Sequence, residues 1–127
     1  MKLRRVKQPN NWHLCQLQRS ARGNSNSYCN AVESGNAVLF EYARENGEIA
    51  GCVLLRVEKF DDGLEEAVIV ACGGKLTLAE LREAMRELIV LCEPFDSIRT
   101  HVTNPALARI WRGMGFVDAE IVLRKEK

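Results

Sequence analysis

Gly73-Gly74-Lys75-Leu76-Thr77 is the stretch whose residue types and spacing best suit chemistry. It follows a β-prone run, Ala67-Val68-Ile69-Val70-Ala71-Cys72, and leads into a strongly patterned helix. Glycines let a backbone turn sharply with nothing projecting from it. Thr77 and Glu80 stand in capping-box spacing, which sets the start of the helix. Strand, bare turn and helix start together bring unpaired N–H groups and the positive end of a dipole to one place, which suits a phosphate or another anion. A tight strand-to-helix joint with no ligand accounts for the same residues.

Groups that could move a proton are fewer. Glu65 and Glu66 open the central strand, and because neighbours on a strand point to opposite faces, at most one of them reaches a given side. Solvated ends of a hairpin are the simpler explanation of both. His101, an imidazole on a later alternating stretch, is the other candidate base, with a polar sheet face as its competing explanation. His13 is assigned no chemistry. The cysteines at 15, 29, 52, 72 and 92 are odd in number and show no metal-type spacing. They read as reduced, buried small hydrophobes of an intracellular protein, with Cys29 the most exposed.

The elements that must position these groups follow from periodicity. Lys2 to Lys7 reads as a short strand, Trp12 to Ala21 as a helix, Arg22 to Ser27 as a polar loop and Tyr28 to Glu33 as a second helical piece. Ala37 to Arg44 alternates as a strand, and Asn46-Gly47 turns it into a return strand, Ile49 to Phe60, with Gly51 marking a bulge. Asp61-Asp62-Gly63 turns again into the central strand, so the middle of the chain is an antiparallel meander. In the helix from Leu78 to Cys92, Leu78, Leu81, Met85, Leu88 and Cys92 line one face. Glu83 and Glu87 are expected to pair with Arg82 and Arg86 on the other. Ser97 to Thr103 is a strand, parallel to the central one if the helix crosses over. Asn104-Pro105 opens a last helix striped by Leu107, Ile110, Trp111 and Met114, and Val117 to Lys125 reads as a final strand.

The totals exclude several classes. With 127 residues, 46% hydrophobic and 28% charged, the chain reads as one domain with an ordinary core. A formal net charge of +1 lacks the electrostatic footprint of nucleic-acid binding. Met1-Lys2-Leu3-Arg4-Arg5 is not followed by the apolar run of a signal peptide, and no stretch has the length of a membrane helix, which together imply a cytoplasmic protein.

The element order, together with the tail Asn104…Trp111…Gly115-Phe116, resembles the GNAT superfamily of acyl-CoA N-acyltransferases. The likeness covers about Ala37 to the end. It implies an α/β (α+β) fold over residues 1–127, with a mixed central sheet of about six to seven strands and helices on both faces. It implies acetyl-CoA or another acyl-CoA as co-substrate, and an amine-bearing small molecule or protein as acceptor. By this likeness Val70, Ala71 and Cys72 carry the pantetheine arm in a V between two splayed strands. Gly73, Gly74, Lys75, Leu76 and Thr77 then cradle the phosphates, and Asn104 opens the last helix beside them. Gly74→Glu is expected to abolish binding and leave the fold intact.

Two features depart from the family pattern. The loop lacks the usual Gln or Arg followed by Gly-x-Gly, and Trp111 stands where many members have an acidic Tyr; an indole N–H cannot reprotonate a thiolate. The Gly-Gly loop with a later Trp and Gly-Phe is most similar to small GNAT-like proteins of tailed phages and prophages. That likeness implies, as the alternative, a non-catalytic GNAT-shaped protein acting as a virion component or host-factor inhibitor. The edge at Val117 to Lys125 offers pairing to a second copy, although its charges oppose this.

Overall fold

The computed structural model describes residues 2–20 and 25–126. Its elements are β1 (Leu3–Val6), α1 (Asn11–Ser20), α2 (Ser25–Glu33), β2 (Val38–Ala43), β3 (Ile49–Lys59), β4 (Glu65–Gly74), α3 (Leu78–Leu91), β5 (Ser97–Thr100) and α4 (Pro105–Gly113). Of the expected loop Arg22 to Ser27, residues 22–24 lie outside the described residues, as does the end of the first helix at Ala21, whereas Ser25, Asn26 and Ser27 already belong to α2.

The strands form one mixed sheet in the order β1-β2-β3-β4-β5. β1 to β4 are antiparallel neighbours, and α3 crosses over so that β5 runs parallel to β4. Alternation along the strands divides the apolar residues between two faces. Phe40, Tyr42, Val53 and Leu55 face α3 and α4, packing with Met85, Leu88 and Trp111. Leu39, Cys52, Leu54 and Ala71 face the first two helices, packing with Leu17 and Val32. Helices therefore cover both faces, as expected.

α3 begins where the capping box placed it. The Thr77 side chain accepts from the Glu80 N–H and the Glu80 side chain from the Thr77 N–H. α4 is fixed at both ends by devices visible in its sequence. The Asn104 side chain accepts from the N–H groups of Ala106 and Leu107, at 2.9 and 3.4 Å. At the other end Gly115 takes φ +99°. The Phe116 N–H then reaches the Trp111 carbonyl at 3.2 Å and the Gly115 N–H that of Arg112 at 3.1 Å. These are the paired bonds of a Schellman turn, and its usual apolar contact is Trp111 on Phe116, with ring centroids 4.7 Å apart.

Four expectations are corrected. Val117 to Lys125 forms no strand, and among the described residues the sheet has five strands rather than six to seven; Val117, Ile121 and Leu123 are more than four-fifths exposed. Alternation supplies strand propensity but not the ladder partner a strand needs. The bulge that Gly51 marks has its extra residue one place earlier, at Ala50, since Tyr42 pairs Gly51 and Ala43 pairs Ile49, and a second register shift falls at Leu54/Leu55. Glu83 and Glu87 do not pair with their helical neighbours. Glu83 accepts from the Tyr42 hydroxyl at 3.1 Å and lies 3.5 Å from Lys2 Nζ, while Glu87 accepts from the Lys2 N–H at 2.7 Å. Lys2, just before β1, and Tyr42, on β2, bring these partners from outside the helix. Finally, Cys15 and Cys72 are exposed, whereas Cys52 and Cys92 are buried and Cys29 is half-buried.

Candidate active site

The site begins where two parallel strands part. β4 and β5 pair from Glu66↔Ser97 to Ile69↔Thr100 and no further. β5 ends there, while β4 continues from Val70 to Gly74. Next to the parting point Val70 is an extra residue: Leu54 stands opposite Ala71 and Leu55 opposite Ile69. A bulge of this kind bends and twists its strand. β4 therefore leans away from β5 with its pairing groups on that side unclaimed by the neighbouring strand.

The wedge so opened is a cavity of about 540 Å³. Val70, Ala71, Cys72, Gly73 and Gly74 form one wall, and Thr100, His101, Val102, Thr103 and Asn104 the other. Leu76, Met85, Leu107 and Trp111 close the back. The cavity is mostly apolar with a few polar groups at its rim, which is the character of a small-molecule site. Among the described residues no cluster of His, Cys, Asp or Glu could hold a metal ion, and no helix is long and apolar enough to cross a membrane.

Neither a protein-family model nor a curated protein matches the chain. Solved structures do. The tetramutant of the BH1408 protein from Bacillus halodurans is 12% identical, with a TM-score of 0.80, and each chain is covered in full at 100%. An acetyltransferase from Trypanosoma brucei is 13% identical, with a TM-score of 0.72 and 98% of both chains covered. Glucosamine-6-phosphate N-acetyltransferase from Arabidopsis thaliana is 14% identical, with a TM-score of 0.71, covering 98% of this chain and 97% of that one. This is the GNAT acetyltransferase fold.

Within the GNAT fold the residues singled out from sequence fare differently. Val70, Ala71, Cys72, Leu76, Asn104 and His101 all line the wedge. Glu66 does not. Its carboxylate accepts from Arg99 Nη1 and from the Ser97 hydroxyl, both at 2.8 Å. Glu58 lies directly across from Glu66 on β3, and Arg99 also holds Glu58 at 2.8 Å. The guanidinium neutralises two carboxylates that would otherwise repel each other across the ladder. The Glu58 carboxyl is held below its ordinary range, chiefly by that hydrogen bond.

Gly73 and Gly74 are not a turn. They end β4, paired with Cys52 and Gly51. A Cβ on Gly73 would lie 2.4 Å from the Gln16 carbonyl oxygen, and one on Gly74 would lie 2.3 Å from that of Ala50. Gly74 also has φ +135°. The pair exists so that the first helix and β3 can approach β4 closely. Gly74→Glu therefore damages the fold itself, contrary to expectation.

The anion cradle that follows is partly occupied by the chain's own groups. The Lys75 N–H donates to the Ala50 carbonyl at 2.8 Å, and the Thr77 N–H donates to Glu80 Oε1 at 2.9 Å. Arg44 clamps the same carboxylate, with Nε 2.8 Å from Oε2 and Nη2 3.1 Å from Oε1, and its Nη2 also donates to the Lys75 carbonyl at 2.9 Å. The N–H groups of Leu76, Leu78 and Ala79 keep no partner among the described residues. Sequence reasoning found the Thr77–Glu80 pair but not Arg44, which arrives from the far side of a hairpin.

Arg44, and secondarily the Thr77 N–H, hold the Glu80 carboxyl at about 2, against an ordinary value of 4.5. The folded state thus binds that proton more weakly than the unfolded chain. The stabilisation is fully present above about 4.5 and is lost as pH falls toward about 2. Glu80→Gln is expected to lower the urea midpoint at neutral pH, with the gap to wild type closing across that acid window. A gap independent of pH would show that the carboxylate charge is not what holds the turn.

Two cysteines sit at the wedge. Burial raises the Cys52 thiol to about 12. Cys72 opens onto the cavity, and loss of solvation around its sulfur raises it as well. Neither is a poised nucleophile, because nucleophilic sulfur chemistry needs the thiolate.

Proposed function

We propose that this chain is a cytoplasmic acyl-CoA-dependent N-acyltransferase, moving an acetyl or other acyl group from acyl-CoA to an amine of a small molecule or protein. The observation that carries the proposal is the wedge beside the Val70 bulge, where β4 continues without a β5 partner. A pantetheine arm carries amides, so it can take the place of the missing strand and hydrogen-bond the backbone of Val70, Ala71 and Cys72. Its diphosphate would lie against the start of α3, where the N–H groups of Leu76, Leu78 and Ala79 have no partner among the described residues. In this reading Gly73, Gly74 and Thr77 shape the cradle, Lys75 adds charge at its exposed edge, and Asn104 fixes the opposite wall. The glucosamine-6-phosphate enzyme of the same fold is, by its name, an N-acetyltransferase.

The thioester supplies the activated acyl group; the chain supplies orientation and a proton acceptor. His101 is the imidazole on the wedge wall, exposed and therefore open to an incoming amine. It would take the proton the amine loses on attack. Trp111 packs the back wall and, having only an indole N–H, contributes no acid.

The test is release of free CoA thiol from acetyl-CoA in the presence of a panel of primary amines and a lysine-rich protein. Turnover that falls about 100-fold or more in His101→Ala supports the assignment. A turnover unchanged by that substitution removes His101 from the chemistry, and no turnover with any acceptor favours a second reading. That reading is a non-catalytic binding protein of the same fold, and the observation behind it is the Glu80 carboxylate already seated at the start of α3.

A further inference from the structure

β5 is an open edge of the sheet. Ser97 to Thr100 pair with β4 on one side, and among the described residues no strand lies on the other. An edge of this kind is a template for a further strand. It contains no proline, and its one charge, Arg99, is turned back onto Glu58 and Glu66. The segment after α4 has the opposite need. Val117, Ile121 and Leu123 are 83%, 89% and 90% exposed, and residues 117–126 join no ladder. Its root is fixed: Gly115 and Phe116 close α4, and Arg112 clamps Asp118 with bonds of 2.8 and 3.2 Å.

Arg99 says what fits between them. Its Nη1 and Nη2 hold Glu66 and Glu58, but its Nε is buried with no hydrogen-bond partner among the described residues. An unmade bond on a buried charged donor is costly. A strand laid along β5 with Glu120 beside Arg99 brings a carboxylate to that N–H. By alternation the same register puts Ala119 and Ile121 on the face of Ile98 and Thr100, where Ile98 already packs with the cluster beneath α3 and α4. The carboxylates that oppose pairing of the bare segment are then both partnered, Asp118 by Arg112 and Glu120 by Arg99. Within one chain Glu120 acts on Arg99 only through space, without a hydrogen bond, and Ile121 and Leu123 stay in water. We propose that residues 117–125 of one chain pair with the β5 edge of a second copy, each copy giving a strand and receiving one about a two-fold axis. Such an exchange is closed, so both edges are filled and no filament grows. β5 runs on into the wedge wall that carries His101, so the second copy's strand braces one side of the site.

Size-exclusion chromatography with light scattering from about 1 to 200 µM protein, paired with hydrogen exchange, tests it. Wild type is expected to be a dimer at the upper end. Amides of Ser97 to Thr100 and of residues 117–123 should be protected only where the dimer is populated. The double variant I121D/L123D is expected to dimerise at least about tenfold more weakly, because it places charges in the shared face. Both positions are about nine-tenths exposed in the single chain, so the variant keeps its fold, and urea unfolding at low concentration checks this. Glu120→Ala is expected to weaken the dimer as well; a dimer indifferent to that change overturns the register built on Arg99. A monomer throughout the range overturns the proposal, as does a dimer that the double variant leaves intact. Protection of both segments that does not vary with concentration also overturns it, because the chain's own segment then fills the edge.

Discussion

Trp111→Ala is expected to remove about 3–5 kcal/mol of stability, the usual cost of emptying a large aromatic site in a core. Trp111 is 6% exposed and belongs to the cluster beneath α3 and α4. It is also the apolar partner of Phe116 in the turn that ends α4. One substitution therefore opens a cavity and undoes a helix terminus. Against a typical total of about 5–15 kcal/mol, this brings the chain near its unfolding threshold. Equilibrium urea unfolding gives the magnitude, and hydrogen exchange at Leu107 to Ile110 reports whether α4 detaches first. Trp111→Phe keeps a ring against Phe116 and should recover most of the loss. A cost below about 1 kcal/mol for the alanine variant would mean that Trp111 is not the anchor described.

Gly73→Ala is expected to cost about 1–3 kcal/mol or more, although it adds one methyl group. The added carbon would meet the Gln16 carbonyl oxygen at 2.4 Å and the Gln16 carbonyl carbon at 2.8 Å. Both are backbone atoms of α1, so relief requires the helix to lift from the sheet. Gly74→Ala combines a similar clash with a positive φ, and should be at least as damaging. Gly113→Ala is the control. It lies at the end of α4 with nothing within 4 Å of the new Cβ, so alanine should be neutral or stabilising by up to about 1 kcal/mol. If Gly73→Ala behaved like Gly113→Ala, the close approach of α1 to β4 would be contradicted.

The parts of this molecule legible from sequence are those decided by local rules. Thr77 and Glu80 announced the start of α3, Asn104 and Gly115 the ends of α4, and Asn46-Gly47 the hairpin between β2 and β3. The crossover then fixed β5 as parallel. What was not legible depends on partners distant in the chain. Gly73 and Gly74 read as a turn because turns are what glycine pairs most often signal, whereas here backbone from α1 and β3 claims the space. Glu66 read as a candidate base because nothing local shows Arg99 arriving from β5. The same holds for Arg44 at Glu80, and for Lys2 and Tyr42 drawing the α3 carboxylates away from Arg82 and Arg86. Val117 to Lys125 has the alternation of a strand without a ladder to join.

The half-claimed cradle and the open wedge make opposite statements about donor binding, and the wedge decides the reading adopted. A diphosphate needs only some of the amides at the start of α3, and three have no partner among the described residues. A pantetheine arm needs an unpartnered strand edge, and β4 provides one. Isothermal titration of the purified, folded chain with acetyl-CoA measures this most directly. Saturable heat from a single site is the predicted result; absence of heat up to millimolar acetyl-CoA, with the protein shown to be folded, would contradict it.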